Sequence, residues 1–119
     1  MAFSLIESRD DFLHVRVSGV MTLADQAALQ DAARILIARG LKPRVLAVLA
    51  GFGGWAKGQD WGDVTFLSEH GDDIARMAIV GEERWRDDAL MFVAKGLRAT
   101  RIEYFTPENL EGAKLWVNQ

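Results

Sequence analysis

The side chains best suited to moving protons near neutral pH are His14 and His70, and they fall on separate segments of the chain. The chain has no cysteine, so thiolate nucleophiles and thiolate metal ligands are absent, and neither histidine has the partners that a structural zinc site would need. No serine or second carboxylate is spaced to complete a catalytic triad with either one. His14, beside Arg16, reads as a partly exposed strand residue. His70, in Glu69-His70-Gly71-Asp72, reads as the end of a helix, where partial positive charge is favourable. We therefore expect no enzyme, no metal and no cofactor.

Gly51-Phe52-Gly53-Gly54-Trp55-Ala56 fits the loose dinucleotide pattern G-x-G-x-x-G/A and follows an apolar run. That pattern binds a pyrophosphate only when a helix begins within it, and Gly58 and Gly62 oppose an immediate helix. Consecutive glycine amides could instead form an anion-binding nest. The acidic run Glu82-Glu83-Arg84-Trp85-Arg86-Asp87-Asp88 reads as the solvated side of a helix. Glu82 and Arg86 attract at four residues' spacing while Glu83 and Asp87 repel.

A denser concentration of chemistry is aromatic. Phe52, Trp55, Trp61 and Phe66 lie within fifteen residues, interrupted by Gly51, Gly53, Gly54, Gly58 and Gly62. Glycines give such a segment freedom to move, so its aromatic rings could close over the core or turn outward. The plainer reading is ordinary packing, since burying one aromatic side chain contributes on the order of 2 kcal/mol without any ligand. Full burial of Trp55 and Trp61 with no space beneath them would refute a mobile lid.

The composition limits the partners. A net charge of −3, with 14 Lys and Arg interspersed among 17 Asp and Glu, gives no basic footprint for nucleic acid. The first residues lack the basic start and apolar run of a signal peptide, and the apolar run Val45 to Ala50 is far too short to cross a bilayer. The expected setting is cytoplasmic, with peripheral contact to a membrane left open.

The elements that must position these residues follow from periodicity. Phe3 to Ile6 and Phe12 to Val17 read as a hairpin of two strands around Glu7 to Asp11, with Leu13, Val15 and Val17 alternating against polar neighbours. Thr22 and Asp25 open a helix whose apolar positions Leu29, Ala32, Ala33 and Leu36 run to Gly40. Val45 to Ala50, apolar throughout, predicts a central strand covered on both faces. Asp60 to Glu69 predicts a short helix and Met77 to Val80 a buried strand. A helix carrying Trp85, Ala89, Phe92 and Val93 follows, ending at Lys95-Gly96. Ile102 to Phe105 is the last strand, and Thr106-Pro107-Glu108 starts a final helix with Leu110, Ala113, Trp116 and Val117 inward. The order ββαβαβαβα predicts one α/β domain over residues 1–119, with a five-stranded mixed sheet and crossover helices.

In this frame, Arg76-Met77-Ala78-Ile79-Val80-Gly81-Glu82-Glu83-Arg84-Trp85, then Tyr104-Phe105 and Leu110 to Trp116, resemble the SpoIIAA-like bacterial proteins related to STAS and Sec14 domains. The resemblance implies a STAS-type fold over essentially the whole chain. STAS proteins proper switch a protein partner through a serine at the start of the helix after the central strand, where phosphate adds charge at an interface. Here that place reads Gly51-Phe52-Gly53-Gly54-Trp55, with no hydroxyl until Thr65, so the switch is not carried over. The Sec14 likeness implies a mobile apolar lid over a lipid-like pocket, and the family pattern keeps a tryptophan at Trp85. The leading expectation is a non-enzymatic binding module for an apolar or lipid-like ligand or a membrane surface. Phe52, Trp55, Trp61, Phe66, Trp85 and Met91 would surround that ligand. The alternative is a protein-interaction or regulatory module, or a homodimer, using the same aromatics as interface anchors.

Overall fold

A computed structural model describes residues 3–59, 61, 65–93 and 99–119. Strands β1 (Phe3–Arg9) and β2 (Phe12–Met21) form a hairpin, followed by α1 (Leu23–Ala38), β3 (Arg44–Trp55), α2 (Thr65–His70) and β4 (Arg76–Val80). A single 3-10 turn at Glu83–Trp85 precedes α3 (Arg86–Phe92), and after β5 (Arg101–Phe105) another at Pro107–Asn109 leads into α4 (Leu110–Val117). The sheet order is β1-β2-β3-β4-β5, with β1 antiparallel to β2 and all other pairs parallel. The expected mixed sheet with β3 at its centre is thus present. The predicted end of the third helix at Lys95-Gly96, and most of residues 60–64, lie outside the described residues.

Alternation along the parallel strands divides the core in two. Val45 and Ala47 of β3, Met77 and Ile79 of β4, and Ile102 and Tyr104 of β5 face the side that carries Ala33 and Leu36 of α1 and Ala89 of α3. Leu46, Ala78 and Val80 face the other side, where Ala113 and Val117 of α4 cover them. Leu46 and Leu13 are fully buried, each contributing about 2 kcal/mol by leaving water. Two arginines hold the open end of α4: Arg44 Nη1 donates to the carbonyls of Val117 and Gln119 at 3.0 and 2.8 Å, and Arg76 Nη1 to that of Trp116 at 2.9 Å. They supply donors to carbonyls at and just beyond the helix C-terminus, where intrahelical partners run out.

Three boundaries differ from the sequence reading. The hairpin loop is only Asp10-Asp11, with Asp10 at φ 53°, a left-handed conformation that aspartate tolerates. The last two helices each begin with a 3-10 turn. Most consequentially, β2 and β3 do not stop at Val17 and Ala50 but stay paired as far as Met21 and Trp55. The glycine-rich stretch is therefore, in its first five residues, strand rather than loop. Between the pairs Val17↔Leu49 and Gly19↔Phe52, and again between Gly19↔Phe52 and Met21↔Trp55, β2 advances two residues while β3 advances three. Each extra residue makes a β-bulge, and each bulge holds one left-handed glycine, Gly51 at φ 62° and Gly54 at φ 95°.

Those bulges decide which way the aromatics point. In a regular strand, residues three apart face opposite sides of the sheet. The two inserted residues instead leave Leu49, Phe52 and Trp55 on the same side, toward α1 and α3.

The N-terminus of α1 is fixed by a capping box. Thr22 Oγ1 accepts from the Asp25 amide at 3.3 Å, and Asp25 Oδ2 accepts from the Thr22 amide at 2.8 Å. The same buried carboxylate takes the Phe3 amide at 3.1 Å, tying the edge strand β1 to α1.

Candidate functional site

The bulged end of β3 gathers an aromatic cluster. Phe52, only 3% exposed, meets the rings of Trp55 and Trp85 edge-on, both with centroids 5.1 Å away, and those two indoles meet edge-on at 6.0 Å. Phe92 of α3 extends the cluster to Trp55 at 5.4 Å and to Trp61 at 5.5 Å. Such pairs contribute about 1 kcal/mol each beyond their burial. Trp85 fits because Gly54 has no side chain: a Cβ there would lie 3.2 Å from Cη2 of Trp85. The turn that presents Trp85 is itself pinned, since Tyr104 Oη donates to the Glu82 carbonyl at 2.7 Å. Burial, and then the carboxylates of Glu83 and Glu82, push the Tyr104 phenol up to about 12.

The segment leaving β3 is held at three points. Ala56 donates its amide to Met21 O at 2.8 Å, Trp61 Nε1 donates to Ala56 O at 2.9 Å, and Gln59 Oε1 accepts the Leu23 amide at 2.6 Å, at the start of α1. Trp61 therefore has its polar atom satisfied. The buried Nε1 atoms of Trp55 and Trp85 do not, as neither finds an acceptor among the described residues.

Beneath the cluster, between the sheet and α1 and α3, lies a cavity of about 60 Å³ walled by hydrophobic side chains, among them Val17, Leu29, Leu49, Phe52 and Ile79. Outside it, a shallow depression of about 290 Å³ opens to solvent between Trp61, Met91 and Asp88. Trp55 and Phe92 line both spaces and are the wall between them. At about 30 Å³ for a water-sized group, the inner cavity holds roughly two such groups.

Of the six residues expected around a ligand, five belong to this region. Phe52 and Trp55 line the cavity, Trp55, Trp61 and Met91 line the depression, and Trp85 backs Phe52. Phe66 lines neither space; it stacks under the Arg34 guanidinium at 5.1 Å and beside the His70 ring at 5.4 Å, supporting α2 against α1. Phe52 is interior wall, buried on the strand β3 rather than on a loop. Phe92 was legible only as a core position of its helix, and Met21 lay beyond the predicted end of β2; both prove to be wall residues.

The other constellations separate. The glycine pattern continues as strand to Trp55, and no helix begins within it, so the dinucleotide arrangement is not formed. His14, on the α4 side of β2, lies 6.4 Å from the Phe12 ring centroid. Burial lowers its pKa, Lys114 and Arg16 add to this, and Glu7 opposes it. His70 Nδ1 lies 3.0 Å from Asp73 Oδ2 at the end of α2. No helix among the described residues is long and apolar enough to cross a membrane.

A sheet of this order, three helices on one face and one on the other, with an aromatic wall at the end of its central strand, defines a STAS-type α/β module. The family model for SpoIIAA-like proteins matches residues 12–118, and the chain belongs to that family. Comparison with curated proteins gives no match. Among solved structures, the chain is similar to an uncharacterized protein of the DUF3478 family with a SpoIIAA-like fold from Shewanella loihica PV-4. The identity is 23% over 98% of this chain and 92% of that one, with a TM-score of 0.66.

Proposed function

We propose that the chain is a non-enzymatic module that binds an apolar, lipid-like small ligand at the Trp55–Phe92 wall. The observation that carries this reading is the pair of largely apolar spaces that share Trp55 and Phe92, one shallow and open, the other smaller and only partly enclosed. A ligand seated in the depression displaces the wall and extends its apolar end into the cavity, burying surface at about 25 cal/mol per Å². Met91, 78% exposed at the rim, supplies an adaptable apolar contact for the outer part of such a ligand. No catalytic step is assigned.

Tryptophan emission tests the reading. Uncharged six- to eight-carbon amphiphiles should shift the emission to shorter wavelength in a saturable way, and the response should fall in Trp55→Ala and Trp61→Ala variants. An unchanged spectrum at millimolar amphiphile overturns the proposal.

A second reading, a protein-interaction or regulatory module, is favoured by the exposed edge strand β1, on which Leu5 and Ile6 are each 48% exposed. An edge of this kind can accept another strand. Light scattering at rising concentration separates the two readings: a mass that doubles without ligand supports the edge as the working surface.

A further inference from the structure

The reversible sulfur chemistry open to this chain is narrow. It has no cysteine, so only the thioethers of its 4 methionines can be oxidised and later restored. Met21, Met77 and Met91 lie among the described residues, and their settings differ. Met21 and Met77 are 5% and 9% exposed, and both wall the inner cavity. Met91, on α3, is 78% exposed and lines the outer depression with Trp55, Trp61, Asp88 and Phe92. Among the described residues it is the most exposed large hydrophobic side chain. A peroxide must touch a sulfur to transfer its oxygen, so the exposed thioether reacts well before the two inside.

The place of that sulfur gives its oxidation a consequence. Met91 stands three residues after Asp88 on the same flank of α3 and directly before Phe92, whose side chain lines both spaces. In the reaction, the thioether sulfur attacks one oxygen of hydrogen peroxide and the O–O bond breaks. The proton on the transferred oxygen passes to the leaving hydroxide, giving water, and the sulfur, two electrons poorer, is a sulfoxide. A flexible apolar side chain has become a polar one of the same length. An apolar ligand seated against it strips water from the S–O group and offers no hydrogen bond in return. The reverse step needs an external dithiol, which ends as a disulfide while the oxygen leaves as water; a chain without cysteine supplies none itself.

Resting on the binding reading above, we propose that Met91 is a redox-sensitive rim of the binding site: a peroxide converts it to the sulfoxide, which weakens the hold on an apolar ligand until a thiol-dependent reductase restores the thioether.

The test uses the whole chain, hydrogen peroxide and 1-hexanol. After brief treatment with millimolar peroxide, peptide mass mapping should find one added oxygen at Met91 while Met21 and Met77 stay unmodified. Saturating the emission shift with 1-hexanol should then need about fivefold more of it, and methionine sulfoxide reductases of both epimer specificities with dithiothreitol should reverse both changes. Met91→Gln, close in length and permanently polar, should reproduce the weaker binding without peroxide. Met91→Leu should bind 1-hexanol equally before and after treatment, whatever its starting affinity. Oxygen appearing at Met21 or Met77 as fast as at Met91 overturns the assignment of the reactive sulfur. Unchanged binding by the oxidised protein overturns the role, as does a peroxide-induced loss in Met91→Leu equal to that of the wild type. A reduced protein that gives no response to 1-hexanol overturns this inference together with the binding reading, whereas a response that survives oxidation overturns this inference alone.

Discussion

The edge of the Trp85 ring lies so close to Gly54 that a Cβ at that glycine would come within 3.2 Å of Cη2 of the indole, and the glycine's φ of 95° is one that other residues rarely adopt. Gly54→Ala therefore meets both backbone strain and a clash in the aromatic cluster. Gly58, at φ 74°, has nothing within 4 Å of its hypothetical Cβ and isolates the strain alone. In urea unfolding, Gly58→Ala should cost about 1 kcal/mol and Gly54→Ala about 2 to 4 kcal/mol, with loss of near-ultraviolet circular dichroism only in the second. Equal losses would mean that the Trp85 contact carries no weight.

Ala47→Val tests the inner cavity. Ala47 lines it from the central strand, where a β-branched residue is well tolerated, and two added methyl groups nearly fill about 60 Å³. Filling should raise stability by about 1 kcal/mol, from a cavity term of about 24 cal/mol per Å³, and abolish the emission response to amphiphiles. A variant that is more stable yet still responds fully would confine the ligand to the outer depression.

Tyr104 is the one tyrosine of the chain, so its phenolate can be followed directly by ultraviolet absorbance. Its native pKa is raised from 10.0 to about 12, chiefly by burial and then by Glu83 and Glu82. Between those values the unfolded chain ionises while the native one does not. The stabilisation is therefore complete below pH 10 and is lost as pH rises toward 12. Native phenolate titration near pH 10 would contradict the placement of Tyr104 beneath the Glu82 carbonyl, whereas Tyr104→Phe should flatten the alkaline loss.

Asp25 gives the acid counterpart. Burial disfavours its carboxylate, but hydrogen bonds from Thr22 and Phe3 outweigh this and hold its pKa below the usual 3.8. A depressed native value contributes stability that is present above 3.8 and is lost as pH falls through the native pKa. Asp25→Ala should cost about 1 to 2 kcal/mol at pH 7 and release β1, seen as faster amide exchange at Phe3 to Leu5. Unchanged exchange there would show that the Phe3 bond does not hold the edge.

Element order was readable because the periods are clean. Leu29, Ala32, Ala33 and Leu36 mark a helix, and Val45 to Ala50 marks a strand with two covered faces. The site was less readable, for a physical reason. Glycines at 51 and 54 ordinarily signal an end to a strand, yet here they supply the left-handed conformations that let pairing continue through two bulges. The available signal was Gly19 across the ladder, paired with Phe52 at matching depth in β2. Phe92 and Met21 became wall residues only through that continuation. Orphaned indole nitrogens have no sequence signature at all, because satisfaction depends on where neighbouring carbonyls fall.

The bulges make the facing of the aromatics depend on the number of residues between them. Deleting Gly51 would leave Leu49 and Phe52 two positions apart, and ordinary alternation would still place both on the α1 side. Replacing Gly51 with valine keeps the chain length but penalises its φ of 62°. Relieving that strain by a regular pleat would turn Phe52 toward α4 and slip everything beyond it by one residue. At this point in the strand, losing a residue preserves the facing of Phe52, while changing one strains it. The orientation of the aromatic wall is encoded in the odd or even count of backbone units, and only secondarily in the side chains that form it.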